Sequence, residues 1–456
     1  MAPLAGWPSR PTDYADRTLV APPPPAPVAA RKRVAVVGAG PSGLATVKEL
    51  LEEGHEPTCY ERAAGLGGVF RFDEDTGAVW ESCRLTSSGL MTAFSDFPVP
   101  AEKAGHMTVG EYVAYLERYC AAFGVHRCLR FGTAVESIAS DGDGGWRVGT
   151  VGPDGSSGEE RFDAVAVCSG LHQHAHAPEF RGQESFPGEI LHGARYRRPA
   201  QVTGKRVLIV GAGESGADIV AEVSEHAAET VVSLRRGVAV LPRMIRGHPN
   251  DYRTCRINNA AAPWIFETRN PDDAWKRNLY RTAFLPLVIV DKLVQASLGL
   301  ADRLQPWSTV LRGGAVAEAR RAARTRQLTR QLLRRSGGTL QEQFGTKSDD
   351  WVKAIVTGRC RQAGPIERFE GARAVFEEGA DFAPDLVLLC TGFETRTPFL
   401  DPRLATAPRY MHTFAPTVGV GLAFIGFVRP SFGTIPRGAP GAMVRAPPER
   451  EDRASA

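Results

Sequence analysis

A chain of 456 residues with 43% hydrophobic and 23% charged residues is long enough for more than one core and has an ordinary globular composition. Its net charge of +4 gives no electrostatic reason to expect a nucleic-acid partner, and no stretch reaches the uninterrupted apolar length of a membrane span. The eight cysteines never stand at a Cys-x-x-Cys spacing, which argues against a redox dithiol or a thiolate zinc site and for a reducing, cytoplasmic setting.

Residues 1–31 are rich in proline and alanine and read as a disordered leader. Residues 33–37 are then apolar almost throughout, as in a parallel strand buried on both faces. The turn that follows carries Gly38, Gly40, Pro41, Ser42 and Gly43. Gly38 permits a tight turn, Gly40 a close approach of backbone to a pyrophosphate, and Gly43 the packing of the next helix, expected over 44–53. The next strand, 57–61, ends in Glu61, whose carboxylate accepts both ribose hydroxyls and repels a 2′-phosphate. The first unit therefore suits FAD or NAD rather than NADP. A helix is expected near 109–123, strands near 134–138 and 146–148, and a closing strand with glycine over 162–170. The alternating histidines of 172–176 read as a solvated loop leaving that strand.

A second unit repeats the pattern: strand 207–210, then Gly211, Gly213, Glu214, Ser215 and Gly216. Its next strand, 229–234, ends in Arg235 and Arg236 with no acid in reach. Two guanidinium forks suit a 2′-phosphate, so this unit reads as an NADPH site. Residues 283–300 are apolar but broken by Pro286, Asp291 and Lys292, and read as a core or interfacial helix. The arginine-rich stretch 320–335 places Leu328, Leu332 and Leu333 at helical spacing, as in a helix that buries leucines and solvates arginines. Residues 385–392 repeat the strand-then-glycine pattern of 162–170 and read as a return to the first domain.

The expected fold is α/β, with two Rossmann-like dinucleotide-binding domains and the NADPH domain inserted into the FAD domain. The boundaries expected are 1–31 leader, 32–170 first part of the FAD domain, 171–339 NADPH domain with a variable insertion, 340–436 second part of the FAD domain, and 437–456 polar tail.

Glu61, then Gly67, Gly68, Val69 and Phe70, then Ser95 to Pro98, the segment 186–196, and Cys390, Thr391, Gly392 and Phe393 together resemble the flavin-containing monooxygenases, the class B flavoprotein monooxygenases. The segment 186–196 matches that family's pattern F-x-G-x-x-x-H-x-x-x-[YF] through Phe186, Gly188, His192 and Tyr196. The resemblance spans residues 31–436 and is weakest over 249–336.

The resemblance implies FAD in the first unit, with Thr391 and Gly392 among its contacts, reduced by NADPH in the second. It implies a flavin C4a-hydroperoxide whose distal oxygen passes to a soft nucleophile, nitrogen or sulfur, of a small molecule, as in N,N-dialkylaniline-type monooxygenases. It also places 186–196 between the domains, with His192 as a buried structural residue. Tyr196 stands where related Baeyer-Villiger enzymes carry Trp, which weighs against ketone oxygenation. Two departures keep alternatives open, namely an NADPH oxidase releasing hydrogen peroxide and a flavin-binding relative without turnover. Where many members carry a flavin-contacting Asn, this chain has Thr86, or Ser87 if one residue is deleted, and a hydroxyl cannot reproduce an amide's paired donor and acceptor. The polar tail replaces an apolar helical region. The substrate pocket is expected from 248–305, with Trp264, Phe266, Trp275 and Tyr280 as candidate linings. The expected partners are a small-molecule substrate and molecular oxygen, with no metal; a homodimer is plausible by base rate.

Overall fold

The structure, a computed structural model, describes residues 31–100, 105–245, 247–251, 316–336, 345–406, 413 and 421–427. The leader apart from Arg31, the polar tail, the stretch 283–300 and the four candidate pocket aromatics lie outside the described residues.

The chain opens with β1 (Arg33–Val37), α1 (Pro41–Glu52) and β2 (Glu56–Tyr60), followed by the short α2 (Gly89–Thr92) and by α3 (Val109–Ala122). The start of α3 is fixed by a reciprocal cap between Thr108 and Glu111, a contribution of about 1 kcal/mol. Its buried face carries Tyr112, Tyr115 and Tyr119, which pack with Phe70, Phe94 and Phe97. Strand β3 (Leu129–Arg130) is followed by an antiparallel meander of β4 (Ala134–Ser140), β5 (Trp146–Val151) and β6 (Ser157–Phe162), and then by β7 (Ala164–Val167).

Next come β8 (His174–Ala175), β9 (Glu189–His192), β10 (Arg206–Val210), α4 (Glu214–His226) and β11 (Glu229–Ser233). A small hairpin of β12 (Met244–Ile245) and β13 (His248–Pro249) precedes α5 (Val316–Arg335) and α6 (Asp350–Val356). Strand β14 (Arg361–Ala363) leads into a second meander, β15 (Ile366–Glu370), β16 (Arg373–Phe376) and β17 (Asp381–Phe382), and then into β18 (Leu386–Leu389). The described chain ends with β19 (Phe393–Glu394), α7 (Pro402–Thr406) and β20 (Leu422–Phe424).

Two parallel five-stranded sheets result, ordered β20-β7-β1-β2-β3 and β14-β11-β10-β18-β9. Reversing the second gives β9-β18-β10-β11-β14, so the sheets are the same design built twice. In both, the strand following the first glycine helix lies beside the first strand, and a meander feeds the strand on its other side. The repeat extends to single residues. Arg33 N–H donates to Asp163 at 2.8 Å and Arg206 N–H to Asp385 at 2.8 Å, each aspartate clipping the start of neighbouring strands. The Arg206 guanidinium also holds Asp385, and these bonds lower its carboxyl to about 2.

This duplication corrects one expectation. Residues 385–392 do not return to the first sheet: β18 pairs with β10 along its whole length and with β9 on the other side. The strand-then-glycine pattern is the second domain's own copy of 162–170, which is why it looked like the first domain's. The second sheet also holds β14, so the expected second part of the FAD domain, 340–436, divides. Its portion through β18 belongs with the second sheet, and the first is rejoined only later, where Leu400 bridges Ile138 and β20 pairs with β7.

The loop expected over 172–176 is likewise structured. His174 and Ala175 form β8, which pairs antiparallel with β19. The chain's exit from the first domain and its return therefore run side by side.

Candidate functional site

Each glycine turn is shaped by contacts that exclude a side chain. At Gly38 (φ +103°) a Cβ would stand 2.8 Å from the carbonyl oxygen of Cys168, and at Gly43 it would stand 1.8 Å from that of Gly38. The second unit reproduces this: at Gly211 (φ +96°) a Cβ would meet the Cys390 carbonyl oxygen at 2.7 Å, and at Gly216 the Gly211 oxygen at 2.5 Å. Such spacing lets α1 and α4 start directly over the ends of β1 and β10, with their first N–H groups turned to the mouth of the turn. Burial pushes the Cys168 and Cys390 thiols up to about 12, so neither is a nucleophile.

The first turn is completed from elsewhere in the chain. Gly67 N–H donates to Ala39 O at 3.0 Å, and a Cβ on Gly68 would come within 2.9 Å of Gly40 Cα, so two backbones face each other without side chains. Val69 and Phe70 continue from there in a single 3-10 turn. Glu61 is buried, its two oxygens accepting from Ala39 N–H at 2.8 Å and Ala63 N–H at 2.9 Å. A carboxylate so held keeps further lone pairs for hydroxyl donors. Gly426 (φ +80°), beyond β20, closes the same cradle: a Cβ there would reach Ser42 Oγ at 2.2 Å. The sequence carries a signal for Gly426, a glycine just after a buried strand, but not for its distant partner.

The second turn is more open. A Cβ on Gly213 would meet nothing within 4 Å, and Gly213 and Ser215 are exposed. Glu214, at the first position of α4, is held by Lys347, whose backbone N–H lies 3.1 Å and Nζ 3.4 Å away. Burial raises its carboxyl pKa against the opposing pull of Lys347. Glu214 thus fastens the 345–348 loop rather than facing outward. Arg235 and Arg236 are exposed at the end of β11. Thr391 and Gly392 lie beyond β18, so they are part of the second cradle and its exit, not of the first; the Thr391 hydroxyl donates to His176 O.

The segment 186–196 joins the two domains. Phe186 packs on Phe369 at 5.2 Å, and Gly188 admits no side chain because a Cβ would meet Phe186 Cζ at 2.5 Å and Asp385 O at 2.7 Å. His192 Nδ1 accepts from Ala194 N–H at 3.1 Å, so its hydrogen is on Nε2, which donates to Gly392 O at 2.9 Å. Burial lowers its pKa, aided by the nearby His176, while the bond to Gly392 opposes the shift. Tyr196 is buried and donates to Glu222 Oε2 at 3.0 Å, while Ser82 of the first domain donates to Glu222 Oε1 at 2.6 Å. Arg197, also buried, gives its hydrogens to the carbonyls of Glu74, Gly77, Ala194 and Tyr196 at 2.6 to 3.1 Å. Glu222 and Arg197 are missed as site residues from the sequence, because nothing near them in the chain marks their partners.

Thr86 and Ser87 are half-buried. The Ser87 hydroxyl is 2.7 Å from that of Thr92, and Ser88 N–H donates to Asp251 at 2.7 Å. His106 holds this segment to the second domain, with ring nitrogens 3.1 Å from Leu85 O and 3.3 Å from Arg243 O. Arg243 in turn is paired with Asp218 of α4 at 2.6 Å.

A sequence model of the flavin-binding monooxygenase-like family matches residues 31–260. The chain is 34% identical over 412 residues to a 4-hydroxybenzoate brominase (decarboxylating) from Marinomonas mediterranea, covering 89% of this chain and 71% of the relative. The chain belongs to the flavin-binding monooxygenase-like family. It is also 32% identical over 430 residues to flavin-containing monooxygenase 1 of Rattus norvegicus, with the same coverage. The solved S-allyl-L-cysteine S-oxygenase of Allium sativum superposes with a TM-score of 0.56 at 22% identity, covering 87% of this chain and 72% of that one, and so shares the fold.

Flavin monooxygenases of this family use FAD and NADPH. The two cradles fit them: side-chain-free helix starts in both, a buried acid beside the first, and exposed arginines beside the second. The enzyme is thus a flavin-dependent monooxygenase. Among the described residues no helix is long and apolar enough to cross a membrane.

Proposed function

We propose that the enzyme uses NADPH and dioxygen to transfer one oxygen atom to a soft nucleophile, a nitrogen or sulfur, of a small molecule. The observation that carries this reading is the pairing of two cradles of one geometry with opposite charge at the ribose position. Gly38, Gly40, Pro41, Ser42, Gly43 and Glu61, with Gly67 to Phe70, would hold FAD. Gly211, Gly213, Ser215 and Gly216, with Arg235 and Arg236, would hold NADPH. When bound, the flavin accepts a hydride from NADPH and, once reduced, activates dioxygen.

The chain's own residues then have positioning tasks. The helix starts of α1 and α4 bind pyrophosphates through free N–H groups. Glu61 accepts ribose hydroxyls, and the arginines take the 2′-phosphate. The segment 186–196 fixes the spacing of the cradles, and His192 keeps its hydrogen on Nε2 to tie Gly392 at the return crossing. Thr86, or Ser87 if one residue is deleted, would stand at the chain position of the family's flavin-contacting amide and offers a hydroxyl in its place. The described cysteines are all free, which supports a reducing compartment.

A second reading is supported by the identity of 34% to a brominase acting on 4-hydroxybenzoate. Bromide is itself a soft nucleophile, so the same oxygen transfer would serve halogenation. Purified flavin-loaded protein tests both. NADPH consumption, oxygen uptake, peroxide and products are measured with a thioether, a tertiary amine, cyclohexanone, and bromide plus 4-hydroxybenzoate. An N- or S-oxide formed in step with NADPH supports the main reading, and a brominated phenol the second. Lactone formation, or hydrogen peroxide equal to NADPH with every substrate, overturns both.

A further inference from the structure

The C-terminal end of the basic helix α5 sits directly on the turn after β11. Gly237 N–H donates to Arg335 O at 3.2 Å, and a Cβ on Gly237 would lie 1.9 Å from Leu332 O and 2.5 Å from Ser336 N. The contact is backbone on backbone, and a side chain at Gly237 would push the helix away. It brings Arg334 and Arg335 beside Arg235 and Arg236, which immediately precede that glycine. All four are exposed, and among the described residues no carboxylate pairs with any of them. A helix C-terminus tolerates one or two cations, but four guanidinium groups gathered without an acid repel one another unless an anion joins them.

Next to this cluster is a cavity of about 390 Å³ lined by Leu328, Gln331, Leu332, Arg334, Arg335 and Gln362. Gln362 lies on β14 opposite Val232 of β11, so the cavity adjoins the strand that ends in the arginine pair. Half-buried Leu328 offers apolar surface for a flat base over the buried Leu332, and the two amides each pair a donor with an acceptor, as the adenine edge requires.

The geometry points to α5 as the outer wall of an adenosine 2′-phosphate site, with Arg334 and Arg335 sharing the phosphate and Gln331 and Gln362 reading the base. This rests on the reading that the second domain binds NADPH. It gives the basic helix a role in coenzyme choice that its leucine spacing does not disclose.

The test is calorimetric titration of the flavin-loaded protein with NADP+, NAD+ and 2′,5′-ADP. Wild type is compared with Arg334→Ala/Arg335→Ala, Arg235→Ala/Arg236→Ala and Gln362→Leu, the flavin spectrum reporting that each is folded. Loss of charge-assisted bonds predicts that Arg334→Ala/Arg335→Ala binds NADP+ and 2′,5′-ADP roughly tenfold or more weakly while NAD+ changes less than about twofold. Gln362→Leu should weaken NADP+ and NAD+ alike. If only Arg235→Ala/Arg236→Ala loses NADP+, the role of α5 is overturned and the NADPH reading stands. If wild type binds neither NADP+ nor 2′,5′-ADP, both fall.

Discussion

Tyr196 and Glu222 meet at 3.0 Å, and the second oxygen of that carboxylate accepts from Ser82 of the first domain at 2.6 Å. A single acid on α4 therefore links the end of the 186–196 segment to both domains. Burial and the neighbouring Glu222 charge raise the Tyr196 phenol, keeping it a donor across the working pH range.

Tyr196→Phe should destabilise the protein by about 1 kcal/mol, because it takes one of two donors from the half-buried Glu222 carboxylate. Glu222→Gln should cost a similar amount, and the double variant less than the sum of the two. Denaturant titration of all four proteins measures the coupling. Additive costs would mean that the bond does not act as a pair.

On the proposed assignment of FAD to the first glycine turn and NADPH to the second, the duplicated glycines give separate tests of the two cofactors. Gly43→Ala puts a Cβ within 1.8 Å of the Gly38 oxygen, so this variant should be purified with little flavin. Gly216→Ala meets the Gly211 oxygen at 2.5 Å and should retain its flavin while losing reduction by NADPH. Flavin content and the anaerobic reduction rate read the two losses independently, and dithionite should still reduce Gly216→Ala.

The lowered pKa of His192 has a definite sign. The folded state prefers the neutral ring, so its contribution is fully present above the ordinary value of 6.5 and is lost as pH falls from there through the folded pKa. The ring faces Gly392 and Ala194, with Phe393 edge-on at 5.1 Å and His176 nearby, itself paired with Glu394. Melting temperatures between pH 7.5 and 5 should drop more steeply for wild type than for His192→Asn, which does not titrate. Parallel curves would remove the assignment.

Arg197 is a buried cation coordinated by carbonyl oxygens rather than by an acid, and burial lowers its pKa. Arg197→Met keeps the stem but abandons those carbonyls, with an expected cost of about 2–4 kcal/mol. Arg197→Lys should recover only part of it, since an ammonium lacks the planar fork. Chemical denaturation ranks the three.

Features carried by neighbouring residues were legible in the sequence. The glycine turns, the strands before them, Glu61 and the arginines after β11 each sit within one βαβ stretch, where strand, turn and helix chemistry follow from local order. The fold class followed from seeing that stretch twice. The same duplication hid the place of 385–392, because a repeated pattern does not say which copy it completes. Glu222, Arg197 and the closure of Gly426 on Ser42 were illegible for another reason: the partners lie far along the chain, and only the folded backbone brings them together. The leucine spacing of α5 announced a buried face, borne out by Leu332 at 1% exposure, but the seat on Gly237 depends on a missing side chain across the turn.

Strand β20 has an implication for synthesis. It is the last described strand, yet it pairs with β7, which is made before the whole of the inserted unit. On the ribosome the first sheet must wait, its β7 edge unpaired, until the second sheet has left the exit tunnel. Gly426, which closes over Ser42, arrives later still. On the proposed assignment of FAD to the first unit and NADPH to the second, the nascent chain completes its NADPH unit before its FAD unit, which makes flavin capture a closing event of biogenesis rather than an early one.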